Sequence, residues 1–103
     1  MFRALADATR RDIVRRTLVA EVSVSQLAEA YDMSFAAVQK HVAVLEEARL
    51  VTKHPRGRER MVRGSADGIR QAQRLLDQFE QIWRARIDRL DALLAQDDPA
   101  ASA

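Results

Sequence analysis

The sequence predicts a mainly α-helical fold with a small β-hairpin, in which short helices precede the hairpin and one long helix follows it. Three observations support this class: helical spacing of apolar residues along most of the chain, cap residues at the starts of these segments, and a glycine-containing turn between two short apolar runs. The 103 residues suffice for one modest core. We therefore expect a single domain over residues 1–96 and a flexible C-terminal tail over residues 97–103.

The composition excludes several kinds of chemistry. The chain has no cysteine and only two histidines, His41 and His54, so disulfides, thiolate nucleophiles and sites built from several imidazoles are ruled out. No apolar run approaches the roughly 20 residues that cross a bilayer, and the N-terminus lacks the pattern of a secretory signal. We therefore expect a cytoplasmic protein without a membrane partner.

The net charge is +2, but the charged residues are unevenly distributed along the chain. Residues 1–63 carry 12 basic and 8 acidic side chains, whereas residues 64–103 carry 5 basic and 7 acidic ones. Between Lys53 and Arg63, five basic residues accompany a single acid, Glu59. A basic segment of this density indicates an anionic partner.

Two short helices are predicted in the first third of the chain. Asp7 is a candidate N-cap for a helix over residues 8–18. Ser23, followed three residues later by Gln26, fits a capping box that opens a helix over residues 24–31. A tight turn then leads into the next segment.

A third helix is predicted from the cap Ser34 to about Ala48. Val38, Val42 and Leu45 follow one another at spacings of four and three residues, which predicts one buried face. The opposite face carries small and polar residues, namely Ala36, Gln39, Lys40, Ala43 and Glu47. Small residues in its first turn would let the backbone approach another surface closely.

The remaining elements are a hairpin and a long helix. Residues 50–53 and 60–63 are strand candidates around Gly57, and Ser65 can cap a helix that reaches about Gln96. A helix of about 32 residues spans about 48 Å, more than the roughly 26 Å diameter of a 100-residue domain. Part of its apolar stripe therefore needs a partner.

A short helix, a tight turn, a second helix and a hairpin form a winged helix-turn-helix, with the helix Ser34 to Ala48 predicted to enter the DNA major groove. Gln39 can bond adenine and Lys40 guanine, while Ala36 or Ala37 can touch a thymine methyl group. The remaining predicted DNA contacts are to phosphates or a narrow minor groove: Ser34, His41, Arg56, Arg58 and Arg60.

A single winged helix has a small footprint on DNA, so we expect a homodimer on double-stranded DNA. The long C-terminal dimerisation helix would pair with its symmetry mate and place two recognition helices about 34 to 36 Å apart on a pseudo-palindromic operator. The predicted dimer interface consists of Phe2, Leu5, Leu76, Phe79, Trp83, Ile87, Leu90 and Leu94.

Three segments resemble, in order, parts of the ArsR/SmtB-type winged-helix repressors: FRALADATRRDIV their opening segment, VSVSQLAEAYDMSFAAVQKHVAVLEEARLV their helix-turn-helix, and GRERMVRG their wing. The segment FEQIWRARIDRLDALL is similar to the C-terminal dimer helix of members that lack a metal site. The resemblance implies a regulator that represses by occupying promoters, often that of its own gene.

The sequence departs from the metal-sensing members of this family. Those members carry two cysteines where this chain has Ser23 and Ser25, and neutral hydroxyls do not replace thiolates as ligands of soft metals. A second family site uses histidine and carboxylates, but the acids of the C-terminal helix have no histidine near them: Asp77, Glu80, Asp88 and Asp91. We therefore expect no metal site and no cofactor.

Two other classes of function compete with DNA binding, an enzyme and a protein-interaction module. An enzyme would need Ser34 and His41 together, but seven residues of helix separate them by about 10.5 Å, so no catalytic site is expected. A protein-interaction module is the alternative, with the C-terminal helix binding a different helical partner and the basic hairpin incidental. Whether a small-molecule effector controls the protein stays open.

Overall fold

The structure, a computed structural model, describes residues 1–97. These residues belong to two compact units, Met1–Ala72 and the described part of Gln73–Ala103. The predicted tail over residues 97–103 lies, beyond Asp97, outside the described residues. The expected single domain over residues 1–96 stays a prediction.

The fold is mainly helical with a small antiparallel sheet, as the sequence predicts. The elements follow in the order α1 (Phe2–Leu5), α2 (Ala8–Val19), β1 (Val22–Ser23), α3 (Val24–Tyr31), α4 (Phe35–Glu47), β2 (Val51–Arg56), β3 (Glu59–Gly64) and α5 (Ala66–Asp97). Helix α4 follows α3 after a tight turn, and the β2–β3 hairpin follows α4. This arrangement is a winged helix-turn-helix.

The sheet has three strands in the order β1-β3-β2, where the sequence predicted only the hairpin. The missed strand β1 pairs Val22 with Val62 and Ser23 with Met61. Its two residues are too short for an alternating pattern to be read, and Ser23 is also the N-cap of α3.

The hairpin turn is tighter than predicted. The β2–β3 register continues to the pair Arg56 and Glu59, so the turn consists only of Gly57 and Arg58. Gly57 has φ +60° and Arg58 does not have a positive φ, which is the pattern of a II′ turn. Because the turn is short, the basic side chains near the tip belong to or adjoin a paired ladder.

The predicted N-caps are confirmed. Asp7 accepts a hydrogen bond from the backbone N–H of Arg10 at 3.0 Å, and Ser23 forms a reciprocal capping box with Gln26. Ser34 accepts from the backbone N–H of Ala37 at 3.1 Å, so the first turn of α4 is fixed by its own cap.

The core of the first unit lies between the helices and the sheet. Val38, Val42 and Leu45 of α4 are fully buried, together with Ile13 of α2 and Leu27 of α3. This confirms the predicted buried face of α4. Because the core holds this face, the rotation of α4 about its own axis is set by packing.

The start of α5 lies close to the end of α4. A Cβ at Gly68 would come within 2.0 Å of the backbone oxygen of Arg49, so only glycine permits this approach. Arg49 itself has φ +62°. Ile69 packs against the core.

An ionic cluster joins α2 to α3. The Tyr31 hydroxyl donates to Asp12 at 2.5 Å, and Arg16 Nε donates to the same carboxylate at 2.8 Å. These hydrogen bonds hold the pKa of Asp12 at about 2. Burial, together with the hydrogen bond to Asp12, raises the pKa of Tyr31 to about 12.

The shifted pKa of Tyr31 makes stability fall in strong alkali. The raised native pKa favours the neutral phenol, so this contribution to the free energy of unfolding is present below about pH 10 and is lost as the pH rises towards 12. Tyr31 is the chain's one tyrosine, so the phenolate absorbance of the native protein should have its midpoint near pH 12. Asp12→Asn should lower that midpoint, whereas Glu46→Gln should leave it in place. A native midpoint near pH 10 would contradict the expectation.

Candidate nucleic-acid interface

The outward face of α4 carries most of the residues predicted to read bases. Ala36 and Lys40 are exposed, and Ala37 and Gln39 are half-buried. This outward face, defined by Ala36, Gln39, Lys40, Ala43 and Glu47, lies opposite the buried stripe. The helix therefore presents small side chains and hydrogen-bonding groups to its surroundings.

Ser34 is exposed at the start of α4, and its oxygen already accepts from the backbone of Ala37. Its hydroxyl proton remains to be donated to a phosphate. Capping and phosphate binding are therefore compatible at this side chain.

His41 lies on the side of α4 that faces α2. Its Nδ1 is 3.4 Å from Nη1 of Arg10, whose guanidinium also donates to the backbone oxygens of Ala4 at 2.7 Å and Arg3 at 3.1 Å. Because arginine has only donors, Nδ1 is the acceptor in this contact. Arg10, which sequence reasoning missed, thus orients a ring that was predicted to meet phosphate.

The three wing arginines lie in different surroundings. Arg58 and Arg60 are exposed and have no ion-pair partner among residues 1–97. Arg56, in contrast, donates through Nη2 to Glu21 at 2.9 Å. Arg58 and Arg60 are therefore the free cations near the tip, within the part of the chain that the structure describes.

Glu21 forms the centre of a charge cluster that sequence reasoning missed. Its side chain is only 14% exposed, and it faces the imidazole of His54, the guanidinium of Arg56 and, at 3.6 Å, that of Arg63. Glu21 is 35 residues from Arg56 along the chain, so only the folded sheet brings them together. The cluster ties the hairpin, from Arg63 near its base to Arg56 beside the turn, to the segment between α2 and β1.

Phe35 is a third residue that sequence reasoning missed, after Arg10 and Glu21. It is the first residue of α4 and precedes Val38, Val42 and Leu45 at helical spacing, which suggests burial. The side chain is nevertheless 46% exposed. The sequence did contain a sign of this exposure. Phe35 directly follows the cap Ser34 and therefore lies at the very start of the helix, where the core covers less of the buried stripe.

The second unit, over its described residues 73–97, is a single helical segment with a continuous apolar stripe. Apart from the half-buried Leu75, its large apolar side chains are 37% to 67% exposed. Those predicted to form the dimer interface are Leu76, Phe79, Trp83, Ile87, Leu90 and Leu94, and the stripe also includes Ile82 and Leu93. So much exposed apolar surface is typical of an interaction site.

The two predicted interface residues of α1 differ in exposure. Phe2 is 40% exposed, whereas Leu5 is half-buried and packs against the core of the first unit. Leu5 therefore already has a structural role within its own unit.

Two negative findings apply to residues 1–97. No three His, Asp or Glu side chains there are grouped as a metal ion would require. No helix in this range has the length and apolar character needed to cross a membrane.

Comparison with known proteins gives consistent matches. Residues 5–54 match a family described as a helix-turn-helix domain. The chain is 38% identical over 78 residues to the HTH-type transcriptional regulator Rv2034 of Mycobacterium tuberculosis, covering 76% of this chain and 73% of that regulator.

Solved structures share the fold. An ArsR-like transcriptional regulator from Rhodococcus sp. RHA1 has a TM-score of 0.80 and 29% identity, covering 90% of this chain and 85% of that one. The winged helix-turn-helix DNA-binding domain of a possible ArsR-family regulator from Mycobacterium bovis, described as homodimeric, has a TM-score of 0.62 and 20% identity over 77% of this chain and 73% of that one.

The Glu21 cluster should contribute to stability. Glu21→Gln keeps the shape of the side chain but removes the charge that faces His54 and Arg56. We expect the free energy of unfolding, measured by urea denaturation at low salt, to fall by about 1 kcal/mol, with a smaller loss at high salt. Glu29→Gln, at an exposed acid of α3, is the control and should change it by less than about 0.5 kcal/mol. Equal effects of the two substitutions would contradict a stabilising role of the cluster.

Proposed function

We propose, since the chain belongs to the ArsR/SmtB-type family of winged helix-turn-helix transcriptional regulators, that it is a homodimeric repressor that binds a pseudo-palindromic operator. The family is a class of regulators and not of enzymes. The observation that carries the proposal is α4: one face is locked into the core, and the opposite face presents small and polar side chains.

The first step is the entry of α4 into the major groove. The groove is about 12 Å wide and accepts one helix, and the exposed small residue Ala36 in the first turn permits close approach. Lys40 donates hydrogen bonds to guanine O6 and N7. Gln39 forms two hydrogen bonds with adenine, accepting from N6 and donating to N7. Ala36 or Ala37 touches a thymine methyl group. These contacts supply the sequence preference.

The second step is the binding of phosphates around the groove. Arg58 and Arg60 near the tip of the wing are exposed and unengaged by acids among residues 1–97, which leaves their charge for the DNA backbone or a narrow minor groove. Ser34 donates its hydroxyl proton, and His41 donates from Nε2. Arg56 contributes less, because Glu21 offsets its charge. These contacts supply affinity more than choice of sequence.

The third step is dimerisation through the C-terminal helix. The exposed apolar stripe of residues 76–94 supports pairing of two copies, and the solved domain from Mycobacterium bovis is described as homodimeric. Phe2 and Leu5 assist at the margin. Two-fold symmetry then matches two half-sites one DNA turn apart.

The proposed regulator works without a metal ion. The chain contains no cysteine, and Ser23 is fully buried with its hydroxyl committed to the capping box of α3. A serine hydroxyl is a poor ligand for soft metals. Dissociation from the operator would therefore depend on another signal.

A protein-interaction module is the second candidate, favoured by the same exposed stripe. In that case a different helical partner would cover residues 76–94, and the wing would have no role in binding DNA. The two candidates differ in what they predict for the wing arginines.

Charge reversal at the wing tests DNA binding. The double variant Arg58→Glu with Arg60→Glu should weaken binding to a selected operator by about tenfold or more while the dimer persists, because repulsion replaces attraction to phosphate. If the dimer neutralises six to ten phosphates, wild-type affinity should also fall by ~10³ to 10⁵ fold between 50 and 200 mM salt. The control Arg74→Glu reverses an exposed charge outside the helix-turn-helix and the wing. Unchanged DNA binding in the double variant would favour the interaction module.

Dimerisation is tested at the centre of the apolar stripe. Trp83→Glu should convert a dimer into a monomer in sedimentation equilibrium at micromolar protein concentration, because a charge would be buried in an apolar interface. Gln78→Glu, at an exposed polar position of the same helix, is the control and should remain dimeric. A monomeric wild-type protein would refute the homodimer.

A further inference from the structure

The first turn of α4 carries a large apolar side chain that the contacts proposed above do not use. Phe35 is 46% exposed, whereas Val38, Val42 and Leu45 on the same helix are fully buried. The other exposed large apolar residue of α4, Val44, lies towards the far end of the helix. An exposed phenyl ring at the leading end of a candidate recognition helix calls for a partner.

Phe35 lies at the boundary between the buried stripe and the outward face of α4, about 20° around the helix axis from Val42. A helix turns about 100° per residue, so Gln39, four positions on, is displaced by only about 40° around the axis. Ala36 is the next residue and is exposed. Phe35 thus borders both residues that are proposed to meet adenine or thymine.

Only one apolar group is displayed in the major groove of DNA, the C5 methyl of thymine. We propose that Phe35 is a specificity-determining residue that packs on a thymine methyl group in each half-site. This inference rests on the proposed function, because it requires α4 to lie in the major groove. In recognition helices of this docking mode, the N-terminal residues are the ones that contact base edges.

The chemistry favours Phe35 over its neighbours for this contact. The side chain of Ala36 or Ala37 ends at Cβ, whereas the phenyl ring reaches further and offers a larger apolar surface. Packing of the exposed ring on a methyl group removes apolar surface from water, which is favourable. The ring has no hydrogen-bond donor or acceptor with which to contact the polar groups of other bases. Phe35 therefore selects thymine by apolar contact alone.

The wild-type protein is first used to select bound sites from random duplex DNA. Each thymine of the selected site is then replaced by uracil, one symmetric pair at a time, and the affinity is measured for each replacement. Uracil differs from thymine only by the missing methyl group. At one symmetric pair, we expect the wild-type affinity to fall about fourfold per half-site, hence by about 15-fold for the two half-sites together. Phe35→Ala should bind the thymine operator with a similarly reduced affinity and should not respond to uracil at that pair.

Two variants serve as controls. Phe35→Leu keeps an apolar side chain and should retain part of the response to uracil. Val19→Ala removes an apolar side chain that is 85% exposed at the end of α2 and should behave as the wild type. Thermal unfolding of each variant shows whether the fold is intact, which is expected because Phe35 is not part of the buried core.

The outcomes separate this inference from the proposed function. A wild-type protein that selects an operator but is insensitive to uracil at every thymine overturns the role of Phe35 and leaves the regulator intact. A Phe35→Ala variant that responds to uracil as strongly as the wild type also overturns it, because another residue would then contact the methyl group. A wild-type protein that selects no sequence overturns the proposed function itself.

Discussion

The burial of one face of α4 is the constraint on which the rest of the site depends. Val38, Val42 and Leu45 are fully buried, and a helix held along one stripe cannot rotate without exposing it. The rotation that satisfies the core therefore decides which side chains face outwards. Ala36 and Lys40 are exposed because the opposite stripe is occupied by the core. The packing of the core and the composition of the outward face are thus two consequences of the same periodicity.

The basic side chains of the wing fall into two groups, those that contact an acid and those that do not. Glu21 lies among His54, Arg56 and Arg63, which are distributed along the hairpin from beside the turn to near its base. Arg58 in the turn and Arg60 directly after it have no such acidic partner among residues 1–97. An exposed acid at this hairpin would weaken the proposed attraction to phosphate, but Glu21 is only 14% exposed and lies among its basic partners. The cluster therefore fixes the hairpin without removing its outer positive charge.

Apolar surface is used differently in the two units. In the first unit, large apolar residues such as Ile13 and Leu27 are fully buried between helices and sheet. In the second, the stripe of residues 76–94 is exposed, and its side chains gain little from their own helix. A lone amphipathic helix is stabilised mainly by what covers its apolar face. Covering the stripe therefore has an energetic reason, and the proposed pairing of two copies would add a functional one, since two half-sites bind more selectively than one.

Helices α2 to α5, the caps of α2 to α4 and the position of the β2–β3 hairpin follow from the amino-acid sequence alone, because they depend on residues close together in the chain. Asp7, Ser23 and Ser34 cap the helices they were predicted to cap. Three features appear only in the folded chain. They are the pairing of the two-residue strand β1 with β3, the contact of Arg10 with His41, and the charge cluster around Glu21. Each joins residues far apart in sequence, for which local spacing carries no information; the exposure of Phe35 likewise depends on where the core ends.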